Sequence, residues 1–303
     1  MNKKTIGKFV IIIIVGIILF VLYKHNNKPK VGTVPEEVST FNIVTSFYPT
    51  YIATLNVVEG AQNVNLKNMA NTSTGCLHEY TLTTGDLASL EKANVLIENG
   101  LGLENFNEKI VATYPKIKIV NTSNGTETIK DESGTENAHI WASIDNYMIQ
   151  VQNIASSLSA ANPENSQIYS DNAEIYIAKL KKLKNQYIQQ LGDMSSFNSI
   201  CLNETIMYLG KNNNMHMELV PTNHQETVLS GTKLSNAINY IRENNVKAIV
   251  IDKNDIIKNA ELLSNETGVN IYKLDSAITG SVEKDAYIQI MEYNLGLFME
   301  MKE

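Results

Sequence analysis

Short apolar runs alternate with longer amphipathic stretches along the chain from Phe41 to Met301. The short runs are rich in β-branched residues and end at polar residues or glycine, which is typical of buried strands. The stretches between them carry apolar residues at helical spacing and predict helices. Four strands are predicted in the first half, over residues 41–47, 63–69, 94–100 and 116–121. Four more are predicted in the second half, over residues 199–203, 215–220, 246–252 and 270–275.

One long helical pattern separates the two sets of strands. It begins at Asn162-Pro-Glu164, where an N-cap residue precedes proline at the first helical position, and it ends at Gly192. A helix of this length, about 45 Å, is longer than one small sheet needs. Its apolar stripe is only partial, and we place in it Ile168, Ile175, Leu180, Leu183 and Ile188.

These patterns predict an α/β protein with two similar lobes. Each lobe is expected to hold a parallel-type sheet flanked by helices, and one long rigid helix is expected to join them. The predicted boundaries are residues 41–161 for the first lobe, 162–192 for the linker helix and 193–303 for the second lobe.

The pattern of charged, apolar and polar residues over positions 1–40 predicts a membrane anchor or signal, followed by a tether. Three lysines precede an unbroken apolar run from Phe9 to Tyr23, whose length lies between a signal-peptide core and a short spanning helix. No small-x-small cleavage pattern follows, so we favour an uncleaved anchor over a cleaved signal, with the large domain outside the cell membrane. The first cysteine is Cys76, which excludes a lipid-modified cysteine directly after the run.

Composition narrows the possible functions. The chain has 303 residues, of which 43% are hydrophobic and 19% charged, and its formal net charge is −7. This balance, without a basic patch, disfavours nucleic-acid binding. Two cysteines cannot form a disulfide scaffold. The chain contains no Walker loop, dinucleotide fingerprint, Gly-x-Ser-x-Gly or His-Glu-x-x-His motif.

Polar residues at the carboxyl ends of the predicted strands are the candidates for chemistry, because ligands of parallel α/β sheets bind beyond these ends. In the first lobe they are His78, after the second strand, and His139, after the fourth. In the second lobe they are Asn203 with Glu204, after its first strand, and Asp275, after its last. Imidazole and carboxylate groups together suit a borderline divalent metal such as Zn²⁺ or Mn²⁺.

Several segments together resemble one known family, the metal-binding lipoproteins of bacterial ABC importers, which are the zinc and manganese solute-binding proteins. The resemblance covers about residues 41–303. The segments that carry it are Thr45-Ser-Phe-Tyr-Pro49, Gly75–Tyr80, Leu87–Leu103, His139-Ile-Trp141, Asn162–Asn165, Val246–Asp252, Glu266-Thr-Gly268 and Leu274-Asp-Ser276.

The resemblance implies a metal bound between two lobes, delivery to an ABC transporter permease in the membrane, and no catalysis. By motif position, His78, His139 and Asp275 carry over as ligands. The family's third ligand, His or Glu, lies five residues before a tyrosine, and Asn203 holds that position relative to Tyr208. We favour the neighbouring Glu204 as the ligand because it carries charge. Asn203 is the alternative, and a site completed by water is another.

The expected transported metal is Zn²⁺ first and Mn²⁺ second, and we expect a monomer. Cys76 lies two residues before His78, and Cys201 two before Asn203. Three possibilities remain open for these cysteines: buried free thiols, a disulfide, and thiolates at the metal.

Two other functions compete with metal transport. The neutral Asn203 motivates an adhesin or partner-binding module that has lost metal binding. A metal-dependent surface hydrolase is a further alternative, since a weak third ligand would leave a coordination position for water.

Overall fold

The computed structural model describes residues 16–23, 39–70, 77, 80–131, 133–220 and 229–303. Residues 16–23, at the end of the N-terminal apolar run, are helical (α1). Within these ranges, no helix combines the length and the apolar content that crossing a membrane requires. The remainder of the predicted anchor and most of the tether lie outside the described residues. Residues 40–303 form one compact unit by their internal contacts, and both sheets belong to it.

The first lobe contains a four-stranded parallel sheet in the order β2-β1-β3-β4. Every position of β3 is buried, as its continuous apolar run predicts. The predicted elements of this lobe are confirmed, with ends that shift by a few residues. The strands are β1 (Phe41–Thr45), β2 (Val64–Asn68), β3 (Val95–Glu98) and β4 (Lys118–Asn121). The helices are α2 (Tyr48–Val57), α3 (Thr84–Leu90), α4 (Asn107–Thr113) and α5 (Ile144–Ala161).

The long connecting helix is continuous. A 3₁₀ turn over Pro163–Asn165 leads into α6 (Ser166–Leu191), whose 26 residues span about 39 Å at 1.5 Å per residue. The predicted apolar stripe is partly wrong, because Ile175 and Ile188 are exposed. Tyrosines take their place, and the buried face recurs every three or four residues as an amphipathic helix requires. Its residues are Tyr169, Ala173, Tyr176, Leu180, Leu183, Tyr187 and Leu191.

The second lobe repeats the topology of the first, with a parallel sheet in the order β6-β5-β7-β8. Its strands are β5 (Asn198–Cys201), β6 (His216–Leu219), β7 (Ala248–Asp252) and β8 (Asn270–Leu274). Its helices are α7 (Met207–Asn212), α8 (Gly231–Glu243), α9 (Lys258–Thr267) and α10 (Ala286–Lys302). Three of these helices, α7, α9 and α10, begin three or four residues after the starts that the sequence predicts, which are Glu204, Asp255 and Val282. Before α9, the Asp255 carboxylate accepts a hydrogen bond from the Asp252 N–H and holds the chain in a turn.

The C-terminal helix packs across the lobes. The Tyr287 ring of α10 stacks on the Tyr147 ring of α5, with centroids 3.7 Å apart. The Tyr287 hydroxyl donates to the Trp141 carbonyl at 2.8 Å, and Asn56 of α2 donates to the Lys284 carbonyl at 2.9 Å. One buried core therefore takes residues from both sheets and from α6. This two-lobed α/β architecture confirms the fold class that the sequence predicts.

Candidate metal site

The candidate residues lie where the strands end, as parallel topology requires. Glu204 opens a 3₁₀ turn shortly after β5 ends at Cys201, and Asp275 directly follows β8. His139 precedes another 3₁₀ turn, Ile140–Ala142, in the connection between β4 and α5. The prediction for His78 falls outside the described residues.

The His139 ring is held in one orientation. The residue is 2% exposed, and its Nδ1 lies 2.8 Å from Oδ1 of Asn137. Asn137 Nδ2 donates to the Glu204 carbonyl at 2.9 Å, which turns the amide oxygen of Asn137 toward His139. An amide oxygen can only accept, so Nδ1 is the donor and the proton resides on it. With the proton on Nδ1, a neutral ring has its lone pair on Nε2, which is the arrangement that metal-binding histidines adopt.

Asn137 also ties the two lobes together beside the candidate site. Its carbonyl accepts a hydrogen bond from the Tyr208 hydroxyl at 2.7 Å, and that hydroxyl accepts one from the Ile129 N–H at 3.0 Å. Tyr208 belongs to α7 of the second lobe. The segment before His139 is therefore anchored to the segment after β5. Asn137 is not among the residues predicted from the sequence, although its position two residues before a candidate histidine was a possible signal.

Glu204 and Asn203 have different surroundings. Glu204 Oε1 lies 3.9 Å from His139 Nδ1, and the Glu204 side chain is 44% exposed. The Asn203 side chain is engaged at both ends. Its Nδ2 donates to Asp255 at 2.8 Å, and its Oδ1 accepts from the Thr205 N–H at 2.9 Å. Asn203 is thus an N-cap of the following turn, a role for which asparagine is well suited.

Asp275 is almost completely buried and is held by four contacts. Asn294 of α10 pairs with its backbone N–H and its carbonyl, both at 2.8 Å. One carboxylate oxygen, Oδ1, accepts from the Ala277 N–H at 2.9 Å, and Oδ2 accepts from Lys253 Nζ. Burial raises the pKa of the Asp275 carboxyl, while Lys253 opposes that shift. Lys253, which directly follows the buried strand β7, is not among the residues predicted from the sequence.

Asp275 also faces the first lobe. Burial first, and the nearby Asp275 carboxylate second, raise the pKa of the Tyr48 phenol of α2. The next residue, Ser276, accepts a hydrogen bond through its carbonyl from the Trp141 indole at 2.9 Å. The His139 and Trp141 rings are 5.2 Å apart in an edge-to-face arrangement. The candidate residues of the two lobes are therefore linked through Trp141.

The structure brings the candidates together in part. His139 and Glu204 lie close to each other, and Asp275 is paired with Lys253. Among the described residues, which do not include His78, no group of three or more His, Cys, Asp or Glu side chains is arranged to hold a metal ion. Cys201 is a free thiol that is fully buried at the end of β5, and burial raises its pKa. This fits a buried structural thiol; Cys76 lies outside the described residues.

Another buried carboxyl, that of Glu104, lies at the carboxyl ends of the central strands of the first sheet. The Glu104 carboxyl accepts hydrogen bonds from the Ser46 hydroxyl at 2.8 Å and from the N–H groups of Asn99 at 2.7 Å and Gly100 at 3.1 Å. Ser46 follows β1 and Asn99 follows β3, so Glu104 joins the ends of these two neighbouring strands, between which the strand order of the sheet reverses. Burial raises the pKa of Glu104 to about 7.

The fold has two parallel sheets of the same strand order, and one long helix joins them. Imidazole and carboxylate groups lie beyond the ends of the strands. These features together define a two-lobed solute-binding protein. The family model for the periplasmic component A of the zinc-uptake complex, ZnuA, matches residues 43–300. The chain therefore belongs to the ZnuA family. The resemblance that the sequence motifs indicated is confirmed.

Two relatives and one solved structure illustrate the match. The zinc-binding lipoprotein AdcA of Streptococcus pneumoniae (strain ATCC BAA-255 / R6) is 26% identical over 275 residues, which are 84% of this chain and 54% of AdcA. This chain thus spans about half the length of AdcA. The high-affinity zinc uptake system protein ZnuA of Bacillus subtilis (strain 168) is 25% identical over 316 residues, 97% of each chain. The structure of FpvC from Pseudomonas aeruginosa in complex with Ni²⁺ has a TM-score of 0.76 at 22% identity, over 87% of this chain and 97% of FpvC, and it supports the fold alone.

Other relatives that match are named for manganese or iron transport. The family thus comprises metal-binding components of transport systems, not enzymes, and several of its members are named as lipoproteins.

Proposed function

We propose that this protein is the extracytoplasmic substrate-binding component of an ABC importer for a divalent transition metal. The observation that carries the proposal is the His139 imidazole, whose tautomer is fixed by Asn137 at the edge where carboxylates of the second lobe also lie. Zn²⁺ is the first candidate and Mn²⁺ the second, since imidazole with carboxylate suits borderline divalent ions. The metal is cargo, and no chemical step is performed on it.

The proposed ligands are His139 through Nε2, Asp275, Glu204 and His78. Glu204 is preferred over Asn203 because both ends of the Asn203 amide are engaged in local hydrogen bonds. The exposed Glu204 side chain is free to rotate from the Nδ1 edge of the His139 ring toward an ion on Nε2. If it stays at the Nδ1 edge instead, Asn137 remains the acceptor of the Nδ1 proton, and Glu204 adds a negative charge beside the ring.

The proposed partner is an ABC permease in the cell membrane. The apolar run over residues 9–23 is the proposed anchor, with the two lobes outside, and a monomer is the proposed state. Anchoring through this segment is consistent with the position of the first cysteine, Cys76, which is far from the run.

The direct test measures metal content and affinity of the full chain purified in detergent. We expect about one tightly held Zn²⁺ per chain and a rise in thermal stability on adding zinc, because a ligand that binds only the folded state stabilises it. His139→Ala should weaken Zn²⁺ binding by more than the roughly 10–100-fold typical of losing an outer partner. The matched control is His216→Ala, which changes an exposed histidine of β6. Equal affinity in both variants and the wild-type chain would remove His139 from the site.

A partner-binding module without metal is the second candidate. It is favoured by the N-cap role of Asn203 at the position where the family supplies a ligand, and by the lysine on Asp275. A chain that stays metal-free and gains no stability under zinc-replete conditions would support this second function over transport.

A further inference from the structure

Lys253 and Asp275 form an ion pair at the carboxyl edge of the second sheet. Lys253 directly follows β7, and its backbone N–H donates to the Leu274 carbonyl at 2.7 Å. This contact places the lysine beside the end of β8, from which Asp275 continues. The Lys253 side chain is 37% exposed and that of Asp275 is 5% exposed. A flexible cation at the surface therefore neutralises a rigid, buried carboxylate.

The two oxygens of Asp275 differ in how easily they can change partner. Oδ1 accepts from the Ala277 backbone N–H, and the backbone of Ala277 has a φ of 56° in the left-handed region, so this contact belongs to a tight turn. Oδ2 accepts from the end of a four-carbon side chain. An ammonium on such a stem can move into water at small cost, because more than a third of the side chain is already exposed. Oδ2 is thus the exchangeable oxygen.

A second buried carboxylate, that of Asp252, adds negative charge beside the Lys253–Asp275 ion pair. Asp252, the last residue of β7, is 3% exposed, and its carboxylate accepts from the N–H groups of Ser276 at 2.9 Å and Asn254 at 2.8 Å. Two buried carboxylates thus lie at neighbouring strand ends, and Lys253 is paired with one of them. Removing the lysine leaves the Asp275 carboxylate desolvated beside the like charge of Asp252. A divalent ion would compensate the charge of Asp275 more fully than water would.

We propose that Lys253 is a built-in counter-cation that competes with the transported metal for Oδ2 of Asp275, and so sets the metal affinity of the site. This inference rests on the proposed function, because it takes Asp275 as a metal ligand. Metal entry then exchanges one cation for another: the ion binds Oδ2, and the ammonium moves into solvent. Release is the reverse exchange, and Lys253 keeps Asp275 from being left without a partner.

A contrasting role for Lys253 predicts the opposite result. If Lys253 only positions Asp275 while the metal binds elsewhere on the carboxylate, removing the lysine misplaces the ligand and weakens binding. The direction of the affinity change therefore separates competition from positioning.

The experiment compares Zn²⁺ affinity of the full chain and its variants by competition with a chromophoric chelator, at one pH and one ionic strength. Lys253→Met keeps the aliphatic stem and removes the charge. It should tighten Zn²⁺ binding roughly tenfold, since hydrogen bonds to charged groups typically contribute enough to account for that factor. Lys253→Arg keeps the charge and should leave affinity unchanged or weaker. The control is Lys273→Met, which removes an exposed charge from β8 of the same sheet and should change affinity by less than about twofold because of salt screening.

A second measurement covers folding. In the absence of metal, Lys253→Met should unfold at lower denaturant concentration than wild type, because it leaves Asp275 buried without its cation, and zinc should restore more stability to it than to wild type. If Lys253→Met does not fold, Lys253→Gln carries the same comparison. Weaker or unchanged Zn²⁺ binding in the neutral variants, or tighter binding in Lys253→Arg as well, would overturn the competition. Absence of Zn²⁺ binding in wild type and all variants would instead refute the proposed function.

Discussion

We expect the buried carboxyl of Glu104 to make the stability of the fold depend on pH. Its carboxyl is 3% exposed and is held by Ser46, Asn99 and Gly100, between the ends of β1 and β3. Burial is the largest influence and raises its pKa from 4.5 to about 7, although the hydrogen bonds from Asn99, Ser46 and Gly100 oppose the shift. We predict that Glu104→Gln, which keeps the shape and removes the titration, flattens the dependence of stability on pH.

The size of the effect follows from the pKa difference. Between pH 4.5 and about 7, the folded chain keeps a proton on Glu104 that the unfolded chain has released. Folding stability from this group is therefore complete below pH 4.5, falls as pH rises, and is lost above about pH 7. At about 1.4 kcal/mol for each unit of pKa difference, the loss amounts to about 3 kcal/mol.

The assay is denaturant unfolding of wild type and Glu104→Gln at several pH values between 4 and 8, in the absence of metal. The free energy of unfolding of wild type should fall, relative to that of the variant, by about 3 kcal/mol across the window. Glu108→Gln, an exposed change in α4, is the control and should parallel wild type. A constant difference between wild type and Glu104→Gln at all pH values would refute the reasoning, even if the variant is less stable throughout.

Two further predictions concern the candidate site and the contact between the lobes. Glu204→Gln should weaken Zn²⁺ binding about tenfold or more, whereas Asn203→Ala should mainly cost about 0.5–2 kcal/mol of stability through the lost cap. Calorimetric titration measures the first effect and thermal unfolding the second, each on both variants. The reverse pattern would make Asn203 the ligand. Tyr287→Phe should lower the free energy of unfolding by about 1–3 kcal/mol, because the buried Trp141 carbonyl loses its donor. Tyr293→Phe, an exposed change on the same helix, should have little effect, and equal losses in the two variants would contradict the role given to the Trp141 contact.

Local patterns were sufficient to predict the elements of the fold. The apolar run before Gly100 became the fully buried β3, and the run ending at Asp252 became the fully buried β7. The glycine after α9 adopts the left-handed conformation that ends helices, with a φ of 74° at Gly268. Each of these features depends on residues that are neighbours in sequence, so the sequence of one chain is enough to predict them.

Contacts between distant residues were not predictable in the same way. The stack of Tyr147 on Tyr287 joins residues on two helices that share no sequence pattern. At the site, Asp275 was identifiable from its position after a strand, but nothing in the sequence indicates that Lys253 turns toward it. Asn203 and Glu204 are adjacent in sequence. Only the structure shows that the Asn203 side chain is hydrogen-bonded to Asp255 and to the Thr205 N–H.

The contacts between the lobes bear on how a metal could enter and leave the proposed site. Trp141, two residues after His139, donates to the carbonyl of Ser276, which directly follows Asp275. The backbones that carry one proposed ligand from each lobe are thus joined by a buried hydrogen bond, and the stacked tyrosines and α6 hold the lobes together behind it. Moving the lobes apart would break these contacts and leave buried polar groups unpaired, which is costly. Glu204 and Lys253, by contrast, are 44% and 37% exposed and can change rotamer while the core stays intact. Exchange of metal in the proposed site is therefore best accounted for by movement of these two side chains, with the lobes fixed.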